Sequence, residues 1–94
     1  MKTKTHMLFG EGAIWARIVD PQAGDLTSAS ARSLLDLDFK PADRQRMEEL
    51  AAKAGSGTLT AQERGEAETY NRVAHLLALL QSKARQSLQS RKRR

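Results

Sequence analysis

The span from Thr60 to about Ser90 constrains this chain more than any other stretch. Proline is absent from Ala61 to Gln89, and Gly65 is the only glycine there. Thr60-Ala61-Gln62-Glu63 has the form of a capping box, in which the Thr60 hydroxyl accepts from the Glu63 amide and the Glu63 carboxylate accepts from the Thr60 amide. Glu63, Glu66 and Glu68 crowd the first turns, where the helix dipole favours negative charge. Gly65 costs about 1 kcal/mol relative to alanine, too little to break a helix this well started. The pattern predicts one helix over 61–88, extending to roughly 45 Å if the whole span is helical.

Tyr70, Val73, Leu77, Leu80 and Ala84 recur at steps of three and four, with Leu88 beyond, and so share one stripe. Leu76 and Leu79 lie off it. His75 to Leu80 is therefore apolar around most of the cylinder, wider than a helix with one wet face needs. Either the preceding residues wrap over the second side or a second chain covers it. The candidate partner-binding residues are Tyr70, Val73, Leu76, Leu77, Leu79 and Leu80. A short antiparallel pairing of two copies along the stripe, a homodimer, is a supporting possibility.

The rest of the chain reads as shorter pieces. Residues 1–12 are expected to be a flexible N-terminus, because Gly10 and Gly12 argue against regular structure. In Ala13–Val19 the apolar residues fit a strand and a helix equally well. The period does not decide, and a short extended or one-to-two-turn segment is expected, with Trp15 as a core anchor. Asp20-Pro21 ends it. Thr27 or Ser28 can cap a helix over about 28–37, with Ala31, Leu34 and Leu35 inward and Phe39 plugging the following corner. Pro41 and Asp43 suit the start of a helix over about 42–54. Met47, Leu50, Ala51 and Ala54 form its apolar face, and Arg44, Arg46, Glu48, Glu49 and Lys53 its outer one. Gly55 is expected to close it in a left-handed conformation. Beyond Gln86 one apolar residue, Leu88, is left to hold the chain, so a disordered basic tail is expected over 89–94. The expected fold is all-α: one small three-helix domain over 13–90 with a long C-terminal helix.

Ninety-four residues without cysteine exclude disulfides, thiolate metal sites and cysteine nucleophiles, and suit a reducing compartment. No apolar run reaches the length of a membrane span, and the N-terminus lacks the apolar core and cleavage site of a signal peptide. The expected location is the cytoplasm. The net charge of +5 is unevenly placed: residues 1–20 carry +1, residues 21–80 carry −2, and residues 81–94 carry +6 with no acid. Lys83, Arg85, Arg91, Lys92, Arg93 and Arg94 are the candidate nucleic-acid contacts, able to neutralise phosphates without reading sequence. No aromatic residue interleaves with them, so stacking on single strands has no support.

Catalytic chemistry finds little footing. His6 and His75 are far apart and match no metal-ligand pattern. Asp36, Asp38 and Asp43 read as solvated capping acids near helix ends. The serines have no nucleophile-elbow setting. Gly10-Glu11-Gly12 lacks the third glycine and the leading strand of a dinucleotide fingerprint. The chain is expected to be non-enzymatic and to hold no metal or cofactor.

Several stretches together carry a resemblance: Leu26-Thr27 before an alanine-containing helix, Leu37-Asp38-Phe39, Asp43 to Ala51, Gly57-Thr58-Leu59-Thr60, and above all Arg72 to Arg85 with its HLLALLQSKAR run. Over about residues 13–88 the chain resembles a family of small bacterial helical proteins often encoded beside an HNH-type endonuclease, an arrangement like a toxin–antitoxin pair. The family has no established catalytic residues to carry over. The resemblance implies a protein partner, an HNH-type nuclease that the chain docks on and restrains or positions. The alternative is a small nucleic-acid-binding regulator that uses the basic C-terminus.

Overall fold

The computed structural model describes residues 10–92 and is all-helical, with no strand among those residues. Four helices follow one another: α1 (Glu11–Val19), α2 (Ser28–Leu35), α3 (Pro41–Ser56) and α4 (Ala61–Lys92). No helix among the described residues is long and apolar enough to cross a membrane.

α1 resolves the ambiguous segment as helix and corrects the reading of Gly10–Gly12 as irregular. Gly10 is the extended N-cap residue, and its carbonyl accepts from the Ile14 amide at 3.1 Å. Glu11 in the first turn has the sign the dipole favours. Asp20 ends the helix in the left-handed region at φ 49°, with its amide returned to Ala16, a conformation aspartate tolerates better than most residues. Trp15 is half-buried rather than a core anchor.

α2 starts on Thr27, whose hydroxyl accepts from the Ser30 amide at 3.1 Å. It stops at Leu35, two residues short of expectation. α3 opens on Pro41 with Asp43 in its first turn. It passes through Gly55, and Gly57 (φ 72°), not Gly55, takes the left-handed position. The Thr58 amide donates to Lys53 and the Gly57 amide to Ala54, the paired bonds of a Schellman ending.

α4 opens with both halves of the capping box, Thr60 amide to Glu63 and Glu63 amide to the Thr60 hydroxyl, each 3.0 Å. It runs on to Lys92, so residues 89–92 are helix rather than disordered tail. The reason is packing: Ala84 and Ser87 are fully buried, which holds a stretch whose composition alone would fray.

The chain divides into two compact units. Among the described residues, the terminal unit comprises those up to Leu37 and those from His75 on. The central unit is Asp38–Ala74. The first fourteen residues of α4 belong to the central unit and the rest to the terminal one.

Candidate partner-binding surfaces

In the central unit, α3 and the start of α4 form a helical hairpin. Its buried large apolar side chain is Leu50, 3% exposed. Around it lies a cavity of about 340 Å³ lined by Met47, Leu50, Ala51, Ala54, Ala67 and Tyr70, with Asn71. The hairpin is also joined by charge. Arg46 donates to both oxygens of Glu66 at 2.8 Å and to Glu49 at 3.0 Å. Lys53 donates to Glu63 at 2.6 Å. The Lys53 hydrogen bond and the Thr60 amide hold the Glu63 carboxyl down at about 2. Arg46 likewise lowers Glu66, and its own guanidinium is pushed further up by Glu66 and Glu49. Arg46 and Lys53, read from sequence as an outer wet face, are therefore cross-helix links. Their spacing of seven puts them on one side of α3, opposite Glu63 and Glu66, and that complementarity was the available signal.

Tyr70 donates its hydroxyl to Asp43 Oδ1 at 2.7 Å, and the carboxylate raises the phenol's pKa, with burial adding to the rise. The Phe39 ring meets Tyr70 edge-on at 6.2 Å between centroids. Beside them opens a groove of about 490 Å³ that also takes in Glu66, Thr69 and Val73. Val73 is 50% exposed, the most open of the apolar partner-binding candidates. Asp38 pairs with Arg44 and accepts from the Phe39 amide at 2.9 Å.

In the terminal unit, the second part of α4 grips the loop after α1 and the end of α2. Lys83 donates to the carbonyls of Asp20 (3.4 Å) and Ala23 (3.2 Å) and pairs with Asp25 at 2.8 Å, which lowers the Asp25 carboxyl. Cations suit the free carbonyls at a helix C-terminus. Gln81 does the same for α2, donating to Leu34 (3.1 Å) and Leu37 (2.8 Å). The Ser87 hydroxyl accepts from the Leu26 amide at 3.0 Å. Gly24 lies so close that a Cβ there would stand 3.1 Å from the Gln86 carbonyl and 3.3 Å from the Ser87 Cα.

These contacts redistribute the candidates. Leu76, Leu77, Leu79 and Leu80 are half-buried in the terminal unit, and Tyr70 is half-buried in the central one. The apolar surface at Leu76 and Leu79, for which the sequence leaves both cover by this chain and cover by a second chain open, is therefore partly covered within this chain. Lys83, with its side chain 14% exposed, is committed to internal acceptors rather than to a phosphate. Arg85 is exposed, and Arg91 and Lys92 lie in the last turn of α4. Arg93, Arg94 and His6 fall outside the described residues. His75 is exposed, its ring set against Gly12 of α1, where an added Cβ would lie 2.8 Å from Nε2. The sequence reading missed Ile14 and Ile18, exposed by 42% and 67% one turn apart on α1. Among the described residues no group of three or more histidines and carboxylates could hold a metal ion.

Neither a known family, nor a characterised protein, nor a solved structure matches this chain.

Proposed function

We propose that this chain is a non-enzymatic interaction protein, an antitoxin-like partner that docks on an HNH-type nuclease through its long C-terminal helix and restrains or positions it. The observation that carries the reading is Val73: half exposed on α4, beside the Phe39–Tyr70 pair and an open groove. An apolar side chain displayed on a long helix beside aromatic surface suits helix-to-groove recognition. The sequence resemblance supplies the nuclease as partner, and it is an association rather than a mechanism.

Co-expression with the product of the neighbouring gene, followed by light scattering, tests the reading. The expected result is a stable complex that Val73→Glu abolishes while the circular dichroism of the free chain stays helical. A complex indifferent to Val73→Glu would mean that the docking face lies elsewhere, and absence of any complex would end the nuclease reading. Leu76 and Leu79 are poorer test sites, since glutamate at a half-buried position disturbs the fold as well.

A nucleic-acid-binding regulator is the second reading. It is favoured by the run from Thr69 to Arg94, which carries seven basic residues and no acidic one. It requires duplex binding whose affinity falls steeply with salt, and Arg85→Gln should reduce that slope. Binding insensitive to salt would remove it.

A further inference from the structure

The groove in the central unit has a particular chemistry. Its lining, Phe39, Asp43, Glu66, Thr69, Tyr70 and Val73, offers two aromatic rings, an aliphatic side chain, two carboxylates and no cation. Glu66 is matched by Arg46. Asp43 Oδ1 accepts from the Tyr70 hydroxyl, and Asp43 joins no ion pair among the described residues. An aromatic wall beside a carboxylate suits a cationic side chain: ring faces attract cations, and an arginine fork both pairs with a carboxylate and stacks on a ring. Val73 supplies apolar surface for the methylene stem.

Cations of that kind are abundant at one place in this sequence. No acid follows Glu68, and the chain ends Arg91-Lys92-Arg93-Arg94. The central unit holds six basic and seven acidic residues, while the other residues carry the whole excess of positive charge. We propose that the Phe39–Tyr70–Asp43 groove receives the basic C-terminal end of a second copy of this chain. The contact joins two different surfaces, so one groove and one tail remain open at the ends of each assembly. It needs no other protein, and because it fills the groove beside Val73, a nuclease docked there would compete with it.

Sedimentation equilibrium on the full chain tests it. Average mass should rise with protein concentration at low salt. It should fall back toward the monomer between about 0.05 and 0.5 M salt, as the screening length shrinks from about 14 to about 4 Å. Replacing Arg91, Lys92, Arg93 and Arg94 with serine should weaken association at least about tenfold, and so should Val73→Lys, which sets a like charge against the incoming tail. Thr69→Lys, at an exposed position, serves as a second groove variant, and circular dichroism checks that each stays helical. The decisive arm is the mixture. A Val73→Lys chain keeps its tail and the tail-neutral chain keeps its groove, so the two should pair one to one although each alone is monomeric. A wild-type chain that stays monomeric at low salt, a tail-neutral chain that associates like wild type, or a mixture that fails to pair would each overturn the proposal. A tail bound by its own chain would appear as the first of these.

Discussion

The two units are held together by different means. The central unit is a helical hairpin with one large buried apolar side chain, Leu50, and a row of charged links between α3 and α4. The terminal unit buries Val19, Ala31, Ala84 and Ser87, mostly small residues, and lets backbone approach backbone. The first unit should be sensitive to deletion of volume and to acid. The second should be sensitive to addition of volume. Small chains have little apolar surface to bury, and these are two ways of making a limited core suffice.

The largest expected effect follows from Leu50. Leu50→Ala should cost about 2–5 kcal/mol, read by urea denaturation with amide exchange to assign the loss to residues 38–74. A loss below about 1 kcal/mol would mean that the cavity beside Leu50 already lets the hairpin collapse without it, and the central unit would be mainly electrostatic. Next comes the opposite operation in the terminal unit. Ala84→Leu forces a larger side chain into a fully buried site and should cost about 1–3 kcal/mol. Gly24→Ala should act in the same direction, because its nearest obstacles include the backbone of Gln86 and Ser87. Gly12→Ala should be milder, because the atoms nearest its new Cβ all belong to the His75 ring, which is exposed and can swing aside. Equal losses at Gly12 and Gly24 would mean that the backbone of Gln86 and Ser87 is no firmer an obstacle than the His75 ring.

What was legible in the sequence was local. The Thr60–Glu63 capping box, the helix start at Thr27 or Ser28 and the proline start of α3 rest on contacts within a few residues and appear as read. Of the apolar repeat on α3, Leu50 is buried and Met47 half-buried, while Ala51 and Ala54 are exposed. What was not legible depends on partners distant in sequence. Lys83 looked like part of a basic tail because its acceptors lie some sixty residues away, in the loop after α1. Ser87 looked like tail for the same reason. The choice between Gly55 and Gly57 turned on where α3 runs out, and two glycines so close together offer the same ending. The groove beside Tyr70 was half visible. Tyr70 and Val73 stand on the stripe, but the Asp43 and Phe39 that complete it come from another helix and its approach.

A smaller effect tests the polar side of the terminal unit. Ser87→Ala removes the acceptor that meets the Leu26 amide, and a typical intramolecular hydrogen bond is worth about 0.5–1.5 kcal/mol. Amide exchange at Leu26 should speed up, while exchange in the central unit should not change. If the loop exchanges no faster, the close packing at Gly24 and the Lys83 contacts hold it without Ser87.

The smallest effect tests the charged links of the central unit, whose partners are partly exposed and therefore screened. Glu63 has a folded pKa near 2, below its ordinary value of 4.5, and Glu66 is lowered too. A depressed carboxylate contributes stability above its unfolded pKa and loses it as pH falls through the folded one. The melting temperature should therefore decline between about pH 4.5 and pH 2, beyond the decline expected from net charge alone. Glu63→Gln separates the causes, because glutamine can still serve at the third position of a capping box but cannot pair with Lys53. That variant should start slightly less stable at pH 7 and show a shallower acid decline. An unchanged acid profile would assign Glu63 to the cap alone, and would leave Arg46–Glu66 as the charged link that distinguishes this unit from its neighbour.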